Sequence, residues 1–247
     1  MDEREGCALV TGASRGIGAA IAKALAADGW AVGVNYRSDK DAAEKVVGEI
    51  EGDGGRAVAL GADVVDPDAA EQLFSELESH FDAPVLVLIN NAGISRDDLT
   101  PSLDDEQWNA VIDTDLTAAF RLTRRALKVM LRARNGRIVN ISSVAGLGPT
   151  GSSIAYAVSK AGLIHLTKCM AVALAPEVLV NCVAPGLLEG TRATANLRPE
   201  QVATGRKASL LGKAADKDDV ADQVVTMCRT ETMTGQTMVI DSGRIFH

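Results

Sequence analysis

Aromatic side chains are scarce in this chain, which has two Trp, two Tyr and four Phe among 247 residues. With 47% hydrophobic residues overall, its core must be assembled mainly from Ala, Val, Leu and Ile, a composition that suits helices packed closely on a parallel sheet. Cysteine is sparse as well. Cys7, Cys169, Cys182 and Cys228 lie far apart, with no C-x-x-C pair and no disulfide-scaffold density, so reduced, mostly buried thiols are expected and no metal site. Positive charge is in deficit: the net charge of −8 argues against nucleic acid or an anionic membrane as the main partner. His80, His165 and His247 have no serine, cysteine or metal-ligand partner at a suggestive spacing, which speaks against a hydrolase, and His165 reads as a helix-packing residue. No run approaches the roughly 20 apolar residues of a membrane span, and the charged start "MDEREG" leads directly into a strand-like run, so a soluble, cytoplasmic protein is expected.

What is present is alternation. Strand-like runs recur at "CALVT", "AVGVNY", "AVALGADV", "VLVLINNAG", "GRIVNIS", "VLVNCVA" and "TMVID", separated by amphipathic stretches such as "DAAEKVVGEIEG" and "AAFRLTRRALKVMLRAR". This predicts βαβ units and an α/β fold: one doubly wound, mostly parallel sheet of about seven strands, forming a single domain over residues 1–247. The long irregular segment at about 187–216, after a Pro-Gly turn, reads as a lid with short helices. Asp104 and Asp105 read as the N-terminal cap of a helix.

Two local patterns carry chemistry. "TGASRGIGAA" sets Gly12, Gly16 and Gly18 between the first strand and a helix, where glycines allow a tight turn and close backbone approach to a pyrophosphate at the helix N-terminus. In "IAYAVSKAGLIHL", Tyr156 and Lys160 stand four apart and share one helix face. A phenol with a pKa near ~10 exchanges protons poorly at neutral pH, and a neighbouring ammonium favours its phenolate.

The T-G-x-x-x-G-x-G spacing, Asp63 in "GADV", "NNAG" at 90–93, Ser143 thirteen residues before Tyr156, the Tyr156/Lys160 pair and "APG" at 184–186 together resemble the short-chain dehydrogenase/reductase family over nearly the whole chain. The resemblance implies a Rossmann-type fold and a dinucleotide held by Gly12, Ser14, Arg15, Gly16, Ile17, Gly18, Asp63, Val64, Asn90, Ala92 and Gly93. It adds Tyr156, Lys160, Pro185, Gly186 and, one residue out of the usual spacing, Thr191. At the end of the second strand "VNYRS" offers no carboxylate for a ribose 2′-hydroxyl; Tyr36 stands where an Asp would favour NAD. Arg15 and Arg37, with Ser38 as an extra donor, are expected to converge on a 2′-phosphate, which favours NADPH/NADP+.

By the same resemblance Tyr156 is the general acid, Lys160 also holds the nicotinamide ribose, and Ser143 rather than Ser142 hydrogen-bonds the substrate carbonyl. One position departs from the family: Asp115 stands where an Asn usually holds a relay water, so a working but altered proton relay is expected. Among family members the pattern is most similar to 3-oxoacyl-acyl-carrier-protein reductases, which implies a thioester carbonyl substrate, an acyl carrier protein as partner and Arg132 and Arg134 facing it. The segment "ALAPEVLVNCVAPG" nevertheless lacks an Arg-containing turn that contacts the carrier in those enzymes. A reductase of another secondary alcohol or ketone and a non-catalytic dinucleotide-binding protein remain open readings. The resemblance also implies a homotetramer, or a dimer, paired through helices at about 108–131 and 156–174.

Overall fold

A computed structural model describes residues 4–95, 102–149, 152–189 and 199–246. The seven aliphatic runs all form strands: β1 (Cys7–Val10), β2 (Ala31–Tyr36), β3 (Arg56–Gly61), β4 (Val85–Asn90), β5 (Gly136–Ile141), β6 (Val178–Pro185) and β7 (Thr237–Ile240). They pair in the order β3-β2-β1-β4-β5-β6-β7, every neighbour parallel. Strand order reverses between β1 and β4, the position where an open α/β sheet leaves a crevice at its carboxyl edge.

The strands are continuous apolar runs because helices cover both faces. On one face lie α1 (Gly16–Ala27), α2 (Lys40–Gly52) and α8 (Lys217–Arg229), burying Ile21, Leu25, Val46, Ile50, Val220 and Val224 against the sheet. On the other lie α3 (Ala69–Phe81), α5 (Ala118–Ala133) and α6 (Ile154–Leu174), with Leu73, Phe74, Leu77, Leu122 and Met130 in the core. Each large aliphatic side chain so buried is worth about 1.5–3 kcal/mol in transfer free energy, and Phe74 is the one aromatic among the largest fully buried side chains. The core is aliphatic, as the composition demands.

Two further helices, α4 (Asp105–Ile112) and α7 (Pro199–Lys207), flank the carboxyl edge of the sheet in sequence. Asp104 caps α4 by accepting from the Gln107 N–H at 2.7 Å, and the Gln107 side chain accepts from the Asp104 N–H in return. Between α4 and α5 the chain makes a π-helical turn, Asp113–Thr117. The proposed lid contains α7, and its residues 190–198, Thr191 included, lie outside the described residues.

By length and mean hydropathy (1.3) α6 would pass for a membrane-spanning helix, but Ser159, Lys160, His165, Thr167 and Lys168 interrupt its apolar residues. It packs along β6 and buries Ser159, Lys160 and Thr167, polar residues that a lipid-facing helix has no reason to carry. One expectation needs correction: His165, on the same helix, is exposed and not packed in the core of the chain. Cys7, Cys182 and Cys228 are buried free thiols, while Cys169 is exposed.

Candidate active site

The glycine loop after β1 is held open by two asparagines. The Asn91 side chain donates to the carbonyls of Thr11 (2.8 Å) and Gly12 (3.1 Å), and the Asn35 side chain accepts from the Gly12 N–H at 3.1 Å. Gly12 and Gly16 adopt φ of +60° and +59°, conformations that side-chain-bearing residues rarely take. Gly18 is needed for space: a Cβ there would come within 2.5 Å of the Gly12 carbonyl and the Asn91 amide. The loop runs into α1, whose first turn has neither a side-chain cap nor an acidic residue, so its backbone N–H groups keep their capacity for an anion.

In front of the loop lies a cavity of about 250 Å³. Gly12, Ser14, Arg15, Gly16, Ile17, Gly18, Arg37, Ser38, Asp63, Val64, Ala92 and Gly93, each expected from sequence, line it. Asn35, Tyr36, Asp39, Ala62, Asn91, Ile94 and Thr114 line it too. Asn91 was legible in "NNAG" and Tyr36 at the end of the second strand; the others were not singled out. The buried Asn90 amide donates to Asn140 Oδ1 at 2.8 Å and Thr123 Oγ1 at 3.3 Å and so ties β4 to β5 and α5. Asp39, just beyond "VNYRS", also lines the cavity and pairs with Arg15. Arg37 has no ion pair among the described residues.

Deeper along the same edge, Ser153 caps α6 and sets its first turn, which carries Tyr156 and then Lys160. The Lys160 ammonium lies 5.4 Å from the Tyr156 ring centre. It donates to the Ile141 carbonyl at the end of β5 (3.2 Å) and pairs with Asp115 Oδ2 at 3.2 Å. The π-helical turn directs Asp115 inward, where its other oxygen accepts from the Ile94 N–H at 2.8 Å. Burial acts to lower the Lys160 pKa, but the Asp115 carboxylate and the Tyr156 phenol outweigh it and hold the pKa above the ordinary lysine value. A Cβ on Gly93 would come within 3.1 Å of Lys160 Nζ and 3.3 Å of both Asp115 oxygens, so the cavity wall and the Lys160–Asp115 pair are in direct contact.

The two serines after β5 separate cleanly. Ser142 Oγ is buried and donates to the Lys160 carbonyl at 2.8 Å, whereas Ser143 is partly exposed and accepts from the Ala145 N–H at 3.2 Å. Ser143 alone keeps a hydroxyl proton for a substrate. At the end of β6, Gly186 donates to the Ile240 carbonyl at 2.9 Å, and a Cβ there would strike Asp241. Pro185 and Gly186 are thereby fixed between β6 and the residues after β7.

This geometry coincides with a family pattern: the family model for short chain dehydrogenases matches residues 6–202. The chain belongs to the short-chain dehydrogenase family. It is 42% identical to a 3-oxoacyl-acyl-carrier-protein reductase of Synechocystis over 96% of each chain. A reductase of the same name from Escherichia coli K12 is 37% identical, again over 96% of each. Among solved structures, one from Sinorhizobium meliloti provisionally described as a short-chain alcohol dehydrogenase superposes with a TM-score of 0.91 at 30% identity, covering 98% of this chain and 97% of that one. One from Agrobacterium tumefaciens provisionally described as a gluconate dehydrogenase gives the same score and identity over 97% and 95%. Membership in this family makes the protein an oxidoreductase acting on alcohol or keto groups.

The cavity suits the dinucleotide such chemistry uses. The uncapped α1 N-terminus and the glycine cradle match a pyrophosphate, and Asp63 and Gly93 line the same cavity.

Proposed function

We propose that this short-chain dehydrogenase is an NADPH-dependent carbonyl reductase that converts a 3-oxoacyl thioester to the 3-hydroxyacyl thioester. The observation that carries the reading is the Tyr156–Lys160 contact beside Gly93 of the crevice, with Ser143 two residues beyond Ile141, whose carbonyl accepts from Lys160. When bound, the nicotinamide supplies the hydride. Tyr156 delivers the proton to the carbonyl oxygen, and Ser143 donates a hydrogen bond to that oxygen as its negative charge grows. Lys160, fixed by Ile141 and Asp115, places positive charge near the phenol. Arg37 and Ser38 favour a cofactor with a 2′-phosphate.

The near-full-length identity to 3-oxoacyl-acyl-carrier-protein reductases supports the thioester substrate and an acyl carrier protein as partner. Arg132 is exposed and available to such an acidic partner, whereas Arg134 is engaged by Glu177 at 3.0 Å. The reading includes a single cytoplasmic domain, a substrate lid at about 187–216 and a homotetramer. A second reading, reduction or oxidation of another secondary alcohol or ketone, is favoured by the similarity to structures described as alcohol and gluconate dehydrogenases. Rates on acetoacetyl-carrier protein, acetoacetyl-coenzyme A and a panel of simple ketones and sugar acids separate the two. A kcat/KM at least about tenfold higher on the thioesters supports the first; a higher value on a non-thioester supports the second.

A further inference from the structure

Arg15, at the glycine loop, and Asp39, just before α2, form an ion pair across the mouth of the dinucleotide crevice. The two side chains are 51% and 42% exposed, and a pair this open to water is weak. An incoming phosphate dianion can therefore take Arg15 from Asp39. The carboxylate itself stays in place, because its other oxygen caps α2 by accepting from the Ala42 N–H at 3.1 Å. Neighbouring Lys40 cannot neutralise it cheaply, being paired with Glu44 at 3.2 Å. Arg37 and Ser38 line the same wall, so a 2′-phosphate drawn there meets two guanidinium groups and one tethered carboxylate.

We propose that Asp39 is a specificity-determining residue that restrains the preference for NADPH over NADH, by occupying Arg15 and by leaving a fixed negative charge beside the 2′-phosphate. This rests on the dinucleotide reading of the crevice. An unphosphorylated ribose neither needs Arg15 nor is repelled, so the charge acts on one cofactor only. The restraint is electrostatic and near the surface, and salt within the physiological range weakens it.

The test is calorimetric titration of the full-length protein with NADP+, NAD+ and 2′,5′-ADP, for wild type and Asp39→Asn. Asparagine retains the helix cap, so the melting temperature should hold and serves as the folding control. The expected result is a shift of about three- to tenfold in the ratio of dissociation constants toward NADP+, with 2′,5′-ADP following NADP+. The shift should shrink in the Arg15→Ala background and at high salt. An unchanged ratio, or weaker NADP+ binding in Asp39→Asn, would overturn the role of Asp39 while leaving the crevice reading intact. Wild-type protein that binds neither dinucleotide would overturn the crevice reading, and this inference with it.

Discussion

Asp115 Oδ2 stands 3.2 Å from Lys160 Nζ, with the lysine side chain 5% exposed and the carboxylate fully enclosed. The two form a buried ion pair at the edge of the candidate active site. Such a pair matters chiefly when one partner is lost. Asp115→Ala should lower the unfolding free energy at pH 7 by about 3 kcal/mol, because it strands a buried ammonium; urea denaturation measures it.

The same pair fixes a pH dependence. Lys160 is held above the ordinary lysine pKa, so its stabilising contribution is complete below the unfolded value near ~10.4 and is lost as pH rises through the higher folded value. The groups facing it are the Asp115 carboxylate, the Tyr156 phenol and the buried Cys182 thiol, itself pushed up to about 11 by burial. Asp115→Asn removes the largest upward influence and should move the alkaline limb of turnover to lower pH. An unchanged pH profile would remove the altered relay from the account.

Ser142 and Ser143 should respond in opposite ways. Ser142→Ala breaks a buried hydrogen bond to α6 and should cost about 1 kcal/mol of stability with the smaller effect on turnover. Ser143→Ala should leave the melting temperature within a degree or two and reduce kcat by about 10²-fold or more. Thermal melts beside initial rates distinguish them.

Glycine substitutions probe the crevice directly. Gly18→Ala forces a Cβ into the Gly12 carbonyl and should abolish dinucleotide binding, read by fluorescence titration. Gly48→Ala, on the exposed face of α2 with nothing within 4 Å of the new Cβ, should instead stabilise the protein by about 0.5–1 kcal/mol.

The sheet was legible because aliphatic runs and turn residues repeat in step with βαβ units, and each of the seven runs became a strand. The glycine loop, Ser143, Tyr156 and Lys160 were legible because they are local patterns set by turns and helix periodicity. What stayed hidden depends on side-chain direction across elements. Asn90 faces Asn140 on the next strand, and Asp39 reaches back to Arg15 twenty-four residues earlier in the chain. The inward turn of Asp115 also depends on a π-helical register that no periodicity in "WNAVIDTDLTAAF" announces.

The most direct measurement is the initial rate of NADPH oxidation with an acetoacetyl thioester, for wild type and Tyr156→Phe, each with its NADP+ dissociation constant. The account expects turnover in the wild type, a fall of at least about 10³-fold in the variant, and NADP+ affinity within a few fold in both. Undiminished turnover in Tyr156→Phe would contradict it, as would a wild type that binds NADP+ yet reduces no carbonyl compound.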